Sequence, residues 1–386
     1  MTERLYYTDS YLAEFAARVV DRAEDGRRIY LDRTAFYPTS GGQLFDTGEI
    51  GGVAVVGVVD EGERVAHLLA EAAWSGDAVE CRIDWQRRFD HMQQHSGQHL
   101  LSAVLSERFG LTTVSVHLGE ESSTVDVEAA AVTPEQLRAA EERCNELITE
   151  NRAVEVSFAE ASDGLGLRKA SERTGMLRIV TIEDLDRSAC SGTHVRSTGE
   201  IGPVLLRKLD KVRQAVRIDF LCGMRAVRRA RVDFDALSRI AQLFSAPLDE
   251  TPALVATQLE AASGSEKTRR RLEEELARYQ GAELYEATAP DTEGVRRVVK
   301  NAASMEELRL LSQSFCAREK AVLIGLVDAP PSVLLATSAD SGVDAGRALK
   351  AALAEAGGRG GGSARMAQGS LPGAHGFETI LRSLLK

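Results

Sequence analysis

Three histidines, His91, His95 and His99, recur every fourth residue in RFDHMQQHSGQHLLSAVLSERF. On a helix, residues four apart share a face, and a pair one turn apart can grip a single metal ion. All three cannot, because at 1.5 Å of rise per residue His91 and His99 lie about 12 Å apart along the axis. One ion takes an adjacent pair, and His95 with His99 is the preferred one. The other close pairing of soft or imidazole ligands is Cys190 with His194 in SACSGTHV, where Gly192 permits a tight turn that aims both side chains inward. Together they make a Cys/His3 set, natural for tetrahedral zinc with the thiolate at about 2.3 Å and the imidazoles near 2.0 Å. His-x3-His by itself also fits two unrelated surface histidines, and a closed zinc that only stabilises the fold is the alternative to a catalytic one. Ser96 and Gly97 stand where His-Glu-x-x-His would place its general base, which disfavours a metalloprotease.

These residues need a scaffold. From residue 28 to about 86, short apolar runs (RRIYLD, GGVAVVGVVD, RVAHLLA, AVECRIDW) alternate with Gly, Asp and Ser breaks and predict a small β-barrel-like unit. Residues 88–109 place Met92, Leu100, Leu101, Val104, Leu105 and Phe109 at helical spacing, with Asp90 as the expected N-cap. A hairpin (TTVSVHLG, STVDVEA), a helix (PEQLRAAEERCNELITEN) and strands near VEVSFAEA and MLRIVTIE follow. The pattern loosens around 233–252, and Thr251 to about Glu286 reads as a helical arm or hairpin with Leu272, Leu276 and Tyr279 as its seam. Beyond 295, VRRVVK, VLIGLVDA and SVLLATSA alternate with helical MEELRLLSQSFCA and VDAGRALKAALAEA, as in a separate α/β domain. The fold class expected is α+β, divided as 1–87, 88–245, 246–290 and 291–386.

Composition agrees with a folded chain: 386 residues, 44% hydrophobic and 27% charged, enough for two or three domains. Five scattered cysteines, an odd number, argue against disulfides, and Cys81, Cys144, Cys222 and Cys316 read as buried small hydrophobes. The N-terminus lacks a basic segment followed by an apolar stretch, and no run reaches about 18 apolar residues, so a cytoplasmic protein with no membrane partner is expected. A net charge of -11 discourages a nucleic-acid partner, yet between Arg207 and Arg231 nine basic residues face only Asp210 and Asp219. Arg207, Lys208 and Lys211 belong to that stretch, which suits phosphates or, more plainly, a solvated surface. The glycine-rich 357–362 segment offers backbone N–H groups to a sugar-phosphate chain, with Arg359 and Arg365 adding charge.

LDRTAFYPTSGGQLFDTG at 31–48, HSGQHLL at 95–101 and CSGTHV at 190–195, in this order along the chain, resemble the alanyl-tRNA editing family AlaX, in its long form, and the editing domain of alanyl-tRNA synthetase. HLGEESSTVDV at 117–127 resembles the family's hairpin between the ligand pairs, and GGRGGGSARMAQGS at 357–370 resembles the DHH-associated domain that ends such proteins. The resemblance implies a trans-editing hydrolase that deacylates mischarged tRNA(Ala), chiefly Ser-tRNA(Ala) with Gly-tRNA(Ala) as a further substrate, and one Zn2+ per chain. It assigns Gln43 to a hydrogen bond with ester or water, and Thr34 to recognition of the seryl hydroxyl. Gly41, Gly42 and His117 are placed at the pocket, and Gly360, Gly361 and Arg365 at the tRNA. It also allows a homodimer through the C-terminal region. No synthetase-type aminoacylation domain or Walker loop accompanies these motifs, so charging of tRNA is not expected. The rival is a catalytically silent zinc-containing tRNA-binding protein. A nucleotide phosphodiesterase, which can carry a similar C-terminal domain, fails because Asp90-His91 is not followed by a second histidine. His67 and His375 are expected on the surface or in loops.

Overall fold

The computed structural model describes residues 1–72, 76–171 and 174–385, with Asp163 described by its backbone alone. Two compact units divide it, Met1–Arg239 and Ile240–Lys386.

The first unit opens with a closed six-stranded barrel in the order Glu14–Arg22, Arg28–Leu31, Val65–Leu69, Val53–Asp60, Gly48–Ile50, Ala78–Ile83. Phe15, Ala17 and Val19 point into the core with Ile29, Leu31, Ile50, Val79, Cys81 and Ile83, and on Glu14–Arg22 and Ala78–Ile83 the residues between are exposed. Alternating burial on Glu14–Arg22 and Ala78–Ile83 gives the sheet an apolar face to hide, and closing the sheet hides it without leaving an edge.

The barrel runs directly into helix α1, Trp85–Phe109. Asp84, not Asp90, caps it, accepting from the Arg87 amide; Asp90 lies inside the first turns and binds Arg225 instead. Every residue of α1 from His91 to Leu105 is buried, so the helix is a core rod. It packs with helix α2, Pro134–Glu150, beside a four-stranded antiparallel sheet ordered Val204–Val212, Ala215–Cys222, Ser123–Val127, Thr113–Leu118. A three-stranded sheet, Val154–Glu160, Met176–Ile182 and Asp186–Ala189, completes this layer. Gly97 lets α1 lie tightly on the four-stranded sheet, since a Cβ there would overlap the Cys222 sulfur.

Helix α3, Met224–Phe244, continues through the stretch where the sequence pattern loosens. In the second unit, helix α4, Thr251–Ala287, is a single 37-residue helix rather than a hairpin. A five-stranded sheet follows, ordered Arg296–Asn301, Ala321–Val327, Ser332–Thr337, Met366–Ser370, Arg359–Gly362, with only its first pairing parallel. Helices α5, Met305–Phe315, and α6, Ala345–Glu355, cover its buried strands. Among the described residues no helix is long and apolar enough to cross a membrane. The five cysteines are free, and Cys81, Cys144, Cys222 and Cys316 are buried.

Candidate metal centre

Helix α1 presents His95 and His99 toward the loop that leaves strand Asp186–Ala189, and that loop returns Cys190 and His194. One ligand atom from each of the four lies within 4.8 Å of the others. The Cys190 sulfur is 3.4 Å from Nε2 of His95 and 3.4 Å from Nε2 of His194. Two ligands of one tetrahedral zinc, at about 2.3 and 2.0 Å from the metal, are about 3.5 Å apart. The donor set and its spacing therefore fit zinc. Gly192 is required by the fold of this loop, because a Cβ would overlap the His95 ring.

The opposite nitrogen of each imidazole faces a residue outside the four. Nδ1 of His95 lies 2.8 Å from Oε1 of Gln43, Nδ1 of His194 lies 3.1 Å from Oγ of Ser96, and Nδ1 of His99 stands 3.4 Å from Asp186. The last is an ion-pair distance without an aligned hydrogen bond, so this buried nitrogen is otherwise orphaned. Such partners fix ring orientation and tautomer and leave Nε2 free for a metal. Asp186 is itself held by Nε of Arg168 at 2.8 Å and by the Ser188 hydroxyl at 2.9 Å. Burial resists ionisation of Cys190, but the His95 and His194 rings overcome it and hold the thiol well below its usual value, toward the thiolate that metals bind. Burial drives His194 down to about 3. It opposes protonation of His99 too, but Asp186 and Cys190 outweigh it and raise that ring to about 9.

Three of the four donors, His95, His99 and Cys190, line a cleft of about 330 Å³ whose walls also include Gly41, Gln98, Thr113, Ser115, Arg168 and Lys169. Gly41 reaches it through a left-handed turn, and Gly42, also left-handed, lies so close to the Val116 carbonyl that a side chain would crowd it. The sequence expectations fare differently elsewhere. Gln43 is fully buried and does not line the cleft: its Oε1 accepts from His95 and the Thr193 amide, and its Nε2 donates to the Thr193 hydroxyl at 2.8 Å. Thr34 is fully buried as well, its hydroxyl 2.8 Å from Nε2 of His67, and it is absent from the cleft walls. His67, expected at the surface, is fully buried on strand Val65–Leu69, where burial pushes it down to about 4. His117 is exposed, and the part of its strand that lines the cleft ends at Val116.

The basic stretch is less free than its composition implies. Lys208 pairs with Asp210, Arg217 with Asp126, Arg225 with Asp90, Arg229 with Asp233 and Arg231 with Asp235. Arg207 and Lys211 are exposed and have no ion pair among the described residues. The glycine segment is a strand, not a loop: Gly360 and Gly362 lie against backbone of the neighbouring strand, Gly360 also beneath Leu353 of α6, while Gly361 faces open space. Nε of Arg365 donates to the Thr337 carbonyl at 2.9 Å. Spacing did not reveal Asp186, Ser96, Arg168 or Gln98. Ser96 and Gln98 stand inside the HSGQHLL motif itself, whereas Asp186 carries no local signal at all.

Residues 177–218 match the family model described as the threonyl and alanyl tRNA synthetase second additional domain. The chain is 31% identical over 388 residues to an alanine–tRNA ligase of Pyrococcus furiosus, covering 96% of this chain but only 42% of that protein. It is 34% identical over 243 residues to the alanyl-tRNA editing protein Aarsd1 of Bos taurus, covering 57% of this chain and 54% of the relative. With the alanyl-tRNA editing protein AlaX-L of Pyrococcus horikoshii the identity is 30% over 391 residues, which takes in 96% of this chain and 94% of the other. A likeness that runs nearly end to end in both proteins places this chain in the AlaX-L family of alanyl-tRNA editing proteins.

Proposed function

We propose that the chain is a zinc-dependent aminoacyl-tRNA ester hydrolase that clears mischarged tRNA(Ala), chiefly Ser-tRNA(Ala) and also Gly-tRNA(Ala), in the cytoplasm. The observation that carries the reading is the His95, His99, Cys190, His194 cluster at a polar cleft, with the His95 and His194 rings paired at Nδ1 and the His99 Nδ1 facing Asp186. The relative's name, an alanyl-tRNA editing protein, supplies the substrate class.

A bound zinc would supply a Lewis acid for the ester carbonyl or for a water molecule. The chain does the rest. Gln43 accepts the hydrogen bond of His95 Nδ1, so that Nε2 presents its lone pair to the cluster, Ser96 serves His194 in the same way, and Asp186 faces Nδ1 of His99 at 3.4 Å. Arg168, anchored on Asp186 and Ser188, keeps a guanidinium in the cleft wall, and Lys169 adds a cation there. Both suit the phosphate next to a terminal ribose. Arg207 and Lys211 would meet tRNA phosphates further along.

Within this reading, 1–87 is the barrel, 88–245 the editing domain, 246–290 the arm and 291–386 a DHH-associated tRNA-binding domain with Gly361 and Arg365 on its exposed strand and turn. A homodimer would form through this last part. The test is release of amino acid from Ser-tRNA(Ala) and Ala-tRNA(Ala) by the wild type and by Cys190→Ala, with zinc measured in both. Selective hydrolysis of the seryl ester, lost together with the metal, is expected. A zinc-loaded wild type that hydrolyses neither ester would leave a silent tRNA-binding protein.

A further inference from the structure

The hydrolase reading, on which this inference rests, leaves one demand unmet. Serine exceeds alanine by a hydroxyl, so a site that cleaves the seryl ester and spares the alanyl one cannot work by excluding the larger group. It must present a polar atom that the hydroxyl satisfies and a methyl leaves unpaired. Thr34 does not reach the cleft, and most polar groups of its walls are committed. The Ser188 hydroxyl donates to Asp186 and accepts from Arg168. The Thr113 hydroxyl donates to Oγ of Ser102 at 2.8 Å.

Gln98 is different. It lines the cleft, is 6% exposed, and sits on α1 three residues after His95 and one before His99. Its Nε2 donates to Oγ of Ser102 at 2.8 Å, the same oxygen that Thr113 binds, so the amide is pinned at its nitrogen end. Its Oε1 accepts no hydrogen bond from the described residues. A carbonyl oxygen on an amide pinned in a nearly buried wall, with no partner among the described residues, is a preorganised acceptor.

We propose that Oε1 of Gln98 accepts the side-chain hydroxyl hydrogen of the aminoacyl group, making Gln98 the residue that separates a seryl from an alanyl ester. With serine bound the acceptor is paired. With alanine bound it faces a methyl group in a space the ligand has dried, and the lost pairing weakens the complex.

Wild type, Gln98→Met and Gln98→Glu are compared for kcat/KM on Ser-tRNA(Ala) and Ala-tRNA(Ala), for zinc content, and for binding of non-hydrolysable amide-linked seryl- and alanyl-adenosine. Gln98→Met keeps the shape and loses the acceptor. It is expected to retain zinc, to reduce the Ser-to-Ala ratio about tenfold or more, and to weaken the seryl analogue alone. Gln98→Glu keeps an acceptor and is expected to retain a seryl preference above that of Gln98→Met. An unchanged ratio in zinc-loaded Gln98→Met, or equal weakening of both analogues, overturns the proposal. Should Gln98→Met lose zinc, collapse of the seryl preference in Gln98→Glu overturns it instead. A wild type that hydrolyses neither ester refutes the hydrolase reading, and analogue binding then still decides the role of Gln98.

Discussion

At the scale of single residues, the buried amide of Gln43 is the most informative. Both of its ends are taken inside the protein, by His95 and by Thr193, an arrangement that fits orienting the His95 ring. Gln43→Ala should lower zinc affinity about tenfold to hundredfold, the usual effect of removing such a partner; chelator competition measures it, and unchanged affinity would show that the ring needs no help. The Thr34 hydroxyl makes a different bond, to a fully buried histidine. Thr34→Val leaves Nε2 of His67 without a partner and should cost about 1–3 kcal/mol in denaturant unfolding, which Thr34→Ser should largely restore. The four ligands were legible in the sequence because metal chemistry admits few residue types and the two local spacings are short. Their partners were not, since Asp186 and Gln43 reach His99 and His95 only through the tertiary fold and belong to residue types found everywhere on protein surfaces.

At the scale of elements, α1 does most of the positioning, and its polar residues are paired rather than exposed. Gln94 donates to the Cys222 carbonyl and accepts from the Cys222 amide, Gln93 donates to the Glu200 carbonyl, and Arg88 reaches Asp46 and the carbonyls of Ser10 and Ala35. Arg88 and Asp46 are both fully inaccessible, so the pair ties the barrel to the first turns of the metal helix. Removing one partner of such a pair strands a charge. Arg88→Met should therefore destabilise by about 3–5 kcal/mol, with thermal unfolding as the readout, whereas the double change Arg88→Met with Asp46→Leu should recover much of the loss. Periodicity found this helix from its apolar residues but began it too late, because Trp85, Gln86 and Arg87 add no apolar stripe and Asp84 caps by geometry alone. The same logic hid the end of α3, where Phe234, Leu237, Ile240 and Leu243 are exposed and form no buried seam to read. The barrel was legible in part: apolar runs between Gly, Asp and Ser breaks mark it from residue 28 to about 86, but its first strand, Glu14–Arg22, lies outside that reading.

At the scale of the molecule, charge decides how a chain of net -11 can hold a polyanion. Five of the nine basic residues between Arg207 and Arg231 are neutralised locally, so the surface available to phosphates is smaller than the sequence count and is set by Arg207, Lys211, Arg213, Arg228 and the cations at the cleft. Each phosphate contact contributes roughly 0.7–0.9 to the slope of log K against log salt. Arg207→Ala with Lys211→Ala should then lower that slope by about one to two, weaken all tRNAs alike, and leave the Ser-to-Ala ratio intact, because phosphate contacts position a ligand without reading its aminoacyl group. The two units have separate apolar cores, Leu100, Val104 and Phe220 in one and Leu349, Leu353 and Val333 in the other. A chain ending after residue 245 should accordingly keep one zinc and its barrel while binding tRNA more weakly. Filter binding across a salt series on both proteins tests this, and equal affinity with an equal slope would remove residues 246–386 from the tRNA interface.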